Sequence, residues 1–361
     1  MGVEIKLTDK EFPVSPVFVD FLYRHINNVE SETTWHDQLS EEMVNTRKEI
    51  RRVATEAAGT ILDNPIGQKA VYRAYELLTA VLTGMPDRLR FFHERYAFIC
   101  VVGCPRHGGS YLTKQLFQAV GIEAESVPNV IAHDGFPDAG PFDLREGYNS
   151  QTGTTHNMAE FLAMVELFYA NSRLFDNYVV VPKKATKAAY QGAFFSALLG
   201  PRTEYIITLR HPVAAAISTY EKSGGLPENG LFKVRGNIEE WARRDTIFSG
   251  VNPASLEQLD YFDVYLRYWE HYHMQLATSG LATCKERWRV VVYGQERMEK
   301  LAQEYFTRYR SRAKPDEFKV FDKRERHPEW QRKAVPAIRR VSETWQALGL
   351  SFPLEELMEC W

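Results

Sequence analysis

Residues 98–103 form an unbroken apolar run, Phe98-Ile-Cys-Val-Val-Gly103, and Cys104-Pro-Arg-His-Gly-Gly-Ser-Tyr111 follows at once. Leu112, Leu116 and Val120 then recur every fourth residue, and Gly121 supplies a C-terminal stop. The run reads as a buried parallel strand and the periodic segment as a helix, so the order is strand, glycine-bearing loop, helix. That order builds an anion site, because the first N–H groups of a helix have no intrahelical partner and sit beside the positive end of its dipole. Mg-nucleotide triphosphatases need GxxxxGK followed by Ser or Thr. Here Gly103 to Ser110 reads GCPRHGGS, with Gly109 in the lysine position and Arg106 earlier in the loop. The segment suits a phosphate-like group but lacks the Mg-ATP signature.

Three further short apolar runs, Tyr178-Val-Val-Val181, Tyr205-Ile-Ile-Thr-Leu209 and Arg289-Val-Val-Val-Tyr293, read as buried strands alternating with helices. The expected fold is a three-layer α/β domain with a mainly parallel sheet over residues 94–361. Residues 1–93 form a helical N-terminal extension, with apolar periodicity at Val44, Ile50, Val53 and Ala57 and again at Val71, Ala74, Leu77, Leu78 and Val81. Parallel sheets bind ligands beyond the carboxyl ends of their strands, so the chemistry is expected after each run. Residues 127–155, rich in Gly, Pro, Asp and Asn, and residues 224–253, with five glycines, read as long connections.

With 361 residues and 44% hydrophobic composition the chain can bury a full α/β core and a helical appendage. A net charge of −3 gives no global attraction for nucleic acid. The start, MGVEIKLTDKEF, lacks a secretory signature and Lys6 argues against myristoylation. No apolar run approaches the ~18 residues of a membrane span, so a cytoplasmic protein is expected. Cys100, Cys104, Cys284 and Cys360 form no CxxC pair and read as reduced thiols. No metal site is expected. His271 and His273, two apart on one helix, do not share a face and read as packing. Lys323, Arg324, Arg326, Arg332 and Lys333 read as a solvated charged face.

Arg210-His-Pro-Val-Ala-Ala-Ala-Ile-Ser218 follows the third run. Pro212 starts a short helix that Gly224 and Gly225 close, with Arg210 at its mouth and Ser218 roughly 9 Å along its axis. A long guanidinium and a hydroxyl so placed can grip one phosphate together.

Residues 105–111 resemble the 5′-phosphosulfate loop of sulfotransferases that use 3′-phosphoadenosine 5′-phosphosulfate. That loop runs Pro, a basic residue, Ser, Gly, Thr, Ser or Thr, then Trp, Leu or Tyr. Arg210 to Ser218 resembles their 3′-phosphate motif, R-x-P-x-x-x-x-x-S, with both end residues in register. Val179-Val-Val-Pro-Lys-Lys184 is similar to the family's strand ending in lysine, and Val291-Val-Tyr-Gly-Gln-Glu296 to its strand and turn. The similarity spans about residues 95–350 and implies a P-loop α/β fold without metal-dependent catalysis. It implies that Arg106, His107, Gly108, Gly109 and Ser110 hold the 5′-phosphosulfate, that Arg210 and Ser218 hold the 3′-phosphate, and that Tyr111 and Tyr293 line the nucleotide site. Tyr111 could equally be core. Lys184, with Lys183 as the alternative, would contact the sulfuryl group or the bridging oxygen. The donor would be 3′-phosphoadenosine 5′-phosphosulfate, the product 3′-phosphoadenosine 5′-phosphate, and the acceptor a hydroxyl or amine of a small molecule.

Two departures stand out. The family's histidine two residues after the lysine is Thr186 here or, counted from Lys183, Ala185. The base is therefore left open among His133, Asp134, Glu123, Glu125, His156 and His107. Gly109 also replaces a threonine, removing a hydroxyl that His107 could make up for. A P-loop kinase of unusual pattern and a non-catalytic nucleotide-binding relative are the alternatives. The acceptor pocket, with Phe136, Phe142, Tyr148, Phe232 and Trp241 as candidate walls, and a homodimer through residues 335–348 are also open.

Overall fold

The computed structural model describes residues 14–29, 40–133, 148–222, 259–320, 323 and 327–359, with the side chains of residues 40–51, 86, 148–154 and 222 left aside. Asp134, Phe136, Phe142, Gly224, Gly225, Phe232, Trp241, Arg324, Arg326, Cys360 and the side chain of Tyr148 lie outside the described residues.

Among the described residues four strands form one all-parallel sheet: β1 (Tyr96–Val102), β2 (Val179–Lys184), β3 (Glu204–Leu209) and β4 (Trp288–Val292), in the order β2-β1-β3-β4. Successive residues of β1 supply opposite faces, as strand geometry requires. Ile99 and Val101 pack with Leu112 and Leu116 of α5 (Gly109–Ala119) and with Met298 and Leu301 of a helix over Gln295–Arg308. Phe98, Cys100 and Val102 face the larger core on the other side. Helices thus cover both faces, as parallel sheets demand. The sequence reading of an α/β sheet preceded by helices holds.

The N-terminal helices are α1 (Pro16–Asn27), α2 (Ser40–Asp63), α3 (Pro65–Leu82) and α4 (Pro86–Arg95). Ser15 and Asn64 cap α1 and α3 by accepting from Phe18 N and Ile66 N, each followed by proline at the first helical position. Their buried faces join the same core as the sheet. Arg73 of α3 grips Glu166 with two 2.7 Å hydrogen bonds. Glu166 lies on α7 (Tyr148–Phe168), which follows the four-residue α6 (Asn129–Ala132). The connection read over 127–155 is therefore shorter than its composition suggests: helix α7 takes in its last eight residues, turn-prone Asn149 and Gly153 included.

Three further helices matter for the site or its support: α8 (Gly192–Leu199), α9 (Pro212–Lys222) and α10 (Tyr261–Thr278). In chain order the Gln295–Arg308 helix is then α11, followed by α12 (Pro328–Ala347) and α13 (Leu354–Glu359). Trp330, Ile338, Val341 and Trp345 of α12 are buried in the main core, so that face of the helix helps complete the fold. Cys100, Cys104 and Cys284 are buried and form no disulfide among the described residues. Among the described residues no helix is long and apolar enough to cross a membrane.

Gly103, at the end of β1, lies where a Cβ would come within 1.9 Å of Thr208 Oγ1 and 2.9 Å of Thr208 O on β3. Gly103→Ala is expected to destabilise the protein by about 1–3 kcal/mol through overpacking. Gly59, exposed on α2 with nothing within 4 Å of its added Cβ, gives the opposite sign, about 0.5–1 kcal/mol of stabilisation on replacement by alanine. Urea midpoints of the two variants check both.

Candidate anion site at the strand ends

The strand order reverses at β1, because β2 and β3 flank it, and the loops after β1 and β3 therefore open side by side. The first loop runs from Gly103 to the start of α5. Arg106 takes a left-handed φ of 68°, a conformation uncommon outside glycine, and Gly108 caps the helix at φ 85°. A Cβ on Gly108 would come within 2.3 Å of Met298 Cε and stand 3.4 Å from both Tyr293 and Phe318, so the backbone lies close against Met298 and beside an aromatic wall. Gly109 and Ser110 supply the first amides of α5.

Arg106 donates from Nε to Ser218 Oγ at 3.1 Å, and its carbonyl accepts from Arg210 Nη1 at 2.9 Å. The loop and the arginine–serine motif are thereby joined, 104 and 112 residues apart in sequence. Arg210 is 3% exposed, its guanidinium lies 3.8 Å over the Tyr293 ring, and its carbonyl accepts from Trp269 Nε1 at 3.0 Å. Tyr293 arrives there because its N–H bonds Leu209 O, continuing the β4–β3 ladder past the strand. Burial pushes the Arg210 pKa down, as does nearby Arg106, against the opposing pull of Tyr293, Tyr265 and Glu221. Arginine nonetheless stays charged. Its Nε has no hydrogen-bond partner, and among the described residues it makes no ion pair. Glu221, one turn past Ser218, is held instead by Lys323 Nζ at 2.6 and 2.7 Å. A buried cation with an orphaned donor, and no carboxylate paired with it among the described residues, favours an anion there.

A second group sits at the end of β2, whose Lys184 pairs in register with Val101. The Lys184 stem crosses the start of α5, with Cε 3.5 Å from where a Gly109 Cβ would be, and its Nζ lies 3.1 Å from His133 Nε2. Lys183, one residue earlier and so on the opposite face, is fully buried. It is the alternative lysine, and it turns away from the loop.

Other candidates are placed elsewhere. His107 turns its side chain behind the loop, fully buried, donating from Nδ1 to Thr208 O at 3.0 Å and stacking 5.5 Å from His273. Its imidazole therefore does not make up for the missing threonine hydroxyl. Glu125 pairs with Lys114 at 3.2 Å, in the turn beyond the far end of α5, and Glu123 is exposed in the same stretch. His156 packs on Tyr75 and lies 3.4 Å from Glu160, among the N-terminal helices. Tyr111 donates to Asp316 O at 2.7 Å and packs on Phe318, which also meets Tyr293. Phe318 and Lys323 were invisible in the sequence as site neighbours. Lys323 is buried, not solvated, because Glu221 compensates its charge. Lys333 pairs with Asp260 and Asp263 as a charged face would. His273 is fully buried between Trp269 and His107, and His271 bonds Gln275 at 3.1 Å, so both are packing residues. Among the described residues no group of three His, Cys, Asp or Glu could hold a metal ion.

No family model matches the chain, and no curated protein does. Among solved structures it is similar to the sulfotransferase domain from the Synechococcus PCC 7002 olefin synthase, at 14% identity over 74% of this chain and 77% of that one, with a TM-score of 0.30. At that score the likeness carries no weight for function.

Proposed function

We infer that the chain is a sulfotransferase, moving a sulfuryl group from 3′-phosphoadenosine 5′-phosphosulfate to a hydroxyl or amine of a small-molecule acceptor. The observation that carries this is buried Arg210, with its orphaned Nε, bonded to the carbonyl of Arg106, which in turn donates to Ser218 where the strand order reverses. In this reading Arg210 and Ser218 take the 3′-phosphate, while Arg106 and the backbone of Gly108, Gly109 and Ser110 take the 5′ end. Tyr293 and Tyr111, with Phe318, wall the nucleotide beside Gly108. Residues 94–361 form the catalytic domain and residues 1–93 its helical extension.

The transfer breaks the bond between sulfur and the 5′-phosphate oxygen and forms one between sulfur and the acceptor atom. Charge grows on the departing oxygen, where loop amides and Lys184 lower the barrier by position and field. Of the candidate bases among the described residues, His133 is the one beside Lys184, and its Nε2 takes the proton of the attacking hydroxyl or amine once the Lys184 ammonium has turned from it to the departing oxygen.

The test is thermal stabilisation of the protein in chelator by 3′-phosphoadenosine 5′-phosphate, against ADP and against Mg-ATP. A ligand at about a hundred times its dissociation constant adds about 2.7 kcal/mol. Selective stabilisation by the 3′-phosphorylated nucleotide without metal is expected. Stabilisation by Mg-ATP alone would replace this reading with a kinase, and no response to any of the three would favour a non-catalytic module.

A further inference from the structure

Lys183 is fully buried, yet its ammonium is well satisfied. Nζ donates to Val130 O at 3.2 Å, Ile131 O at 3.1 Å and His133 O at 2.8 Å, and it lies 4.3 Å over the ring of Phe161. An ammonium has three donors, and the three acceptors are carbonyls at the C-terminal end of α6, whose carbonyls have no intrahelical partner. Phe161 of α7 supplies the fourth side.

The three carbonyls end at His133, and the side chain of that residue is the one that meets Lys184. Adjacent residues of β2 therefore hold one histidine twice, Lys183 by its backbone and Lys184 by its ring, from the two faces of the same strand. Because Lys184 also crosses the start of α5, the arrangement fixes the His133 ring against the anion loop. An ammonium only donates, so Nε2 of His133 is the acceptor and its ring proton sits on Nδ1.

We propose that Lys183 is a positioning residue: its buried ammonium straps the turn that ends at His133, and so holds the His133 imidazole in one tautomer beside Lys184. The proposal rests on the sulfotransferase reading for its catalytic meaning, but its geometry does not depend on the donor.

The experiment is nitrogen NMR of protein labelled at its histidine rings, with His133 assigned through His133→Gln. In the parent the two His133 ring nitrogens should show the separate shifts of a single tautomer. In Lys183→Met, whose apolar stem still fits against Phe161, their shift difference should collapse towards the tautomer average, while Kd for 3′-phosphoadenosine 5′-phosphate stays within about twofold. Unchanged His133 shifts in a folded Lys183→Met protein would overturn the proposal. If that variant does not fold, Lys183→Arg is read the same way, because it keeps the charge but brings a planar fork to three carbonyls set for an ammonium. Failure of the sulfotransferase reading shows separately, as absent binding of 3′-phosphoadenosine 5′-phosphate to the parent protein with the His133 response intact.

Discussion

Arg210→Ala is expected to weaken 3′-phosphoadenosine 5′-phosphate binding by about 30- to 150-fold and ADP binding by about threefold or less. A hydrogen bond to a charged group is worth about 1.5–3 kcal/mol, and here the cation is already desolvated, so the upper part of that range applies. The difference between the two nucleotides isolates the 3′-phosphate, which ADP lacks. The ligand-free variant should stay close to the parent in stability, because two effects oppose. It loses the bond to Arg106 O and the stacking on Tyr293, but it also loses a buried charge whose Nε has no partner. Arg210→Lys should fall between, since lysine keeps the charge without the fork or the flat stacking face. Titration calorimetry with both nucleotides decides the matter. Equal losses for the two would mean that Arg210 supports the loop through Arg106 O and does not itself take a phosphate.

The strands were readable because a parallel strand covered by helices is an apolar run, and three of the four runs end within a residue of their strand; β2 continues three residues past Val181 to Lys184, and β4 leaves Arg289 and Val290 exposed. The pairing of the β1 loop with Arg210 was readable only as two separate motifs. What joins them is the strand order, which brings β1 beside β3 and lets Gly103 approach Thr208. Direction was harder still. Lys183 and Lys184 are chemically identical and adjacent, and only the register, with Lys184 opposite Val101, says which one faces the loop. Lys323 read as solvent-facing because charge usually is, and Lys183 as the alternative to Lys184 at the sulfuryl group. Their compensating groups, the 130–133 carbonyls and Glu221, lie 50 to 102 residues away in sequence. His107 carried no mark of its inward turn, which depends on the Arg106 backbone conformation and on a carbonyl of β3.

Acid should unfold this protein steeply, and the groups responsible lie directly behind the anion loop. His107, His211 and His273 are almost wholly buried. Burial holds the imidazole of His107 well below its ordinary range, with His273 and Arg210 adding to the effect, and burial sets His211 at about 3 and His273 at about 4. An unfolded histidine titrates near 6.5. Below that pH the unfolded chain binds about three protons that the folded one refuses, so these groups add nothing against stability above 6.5 and subtract from it as pH falls. His156, also lowered by burial, acts in the same direction. Glu160 opposes them. Burial raises it to about 7 despite the hydrogen bond from Ser15 N, so the folded state keeps one proton that an unfolded glutamate releases above about 4.5. His107, His211 and His273 less Glu160 come to about two protons, a slope of about 2.7 kcal/mol per pH unit once the histidines of the unfolded chain are charged, and a loss of about 3 kcal/mol between pH 6.5 and 5, to which His156 adds. Against a typical stability of about 5–15 kcal/mol that is a large fraction. Urea midpoints across pH 5 to 7.5 measure it. His273→Gln, which can still donate to Trp269 O as His273 Nδ1 does at 2.7 Å, should lower the slope by about 1.4 kcal/mol per unit. Glu160→Gln should steepen it by a similar amount and make the protein more stable at pH 7, because it removes a carboxyl whose burial favours acid. A flat profile through pH 5 would mean that the imidazoles behind the loop take up protons without unfolding.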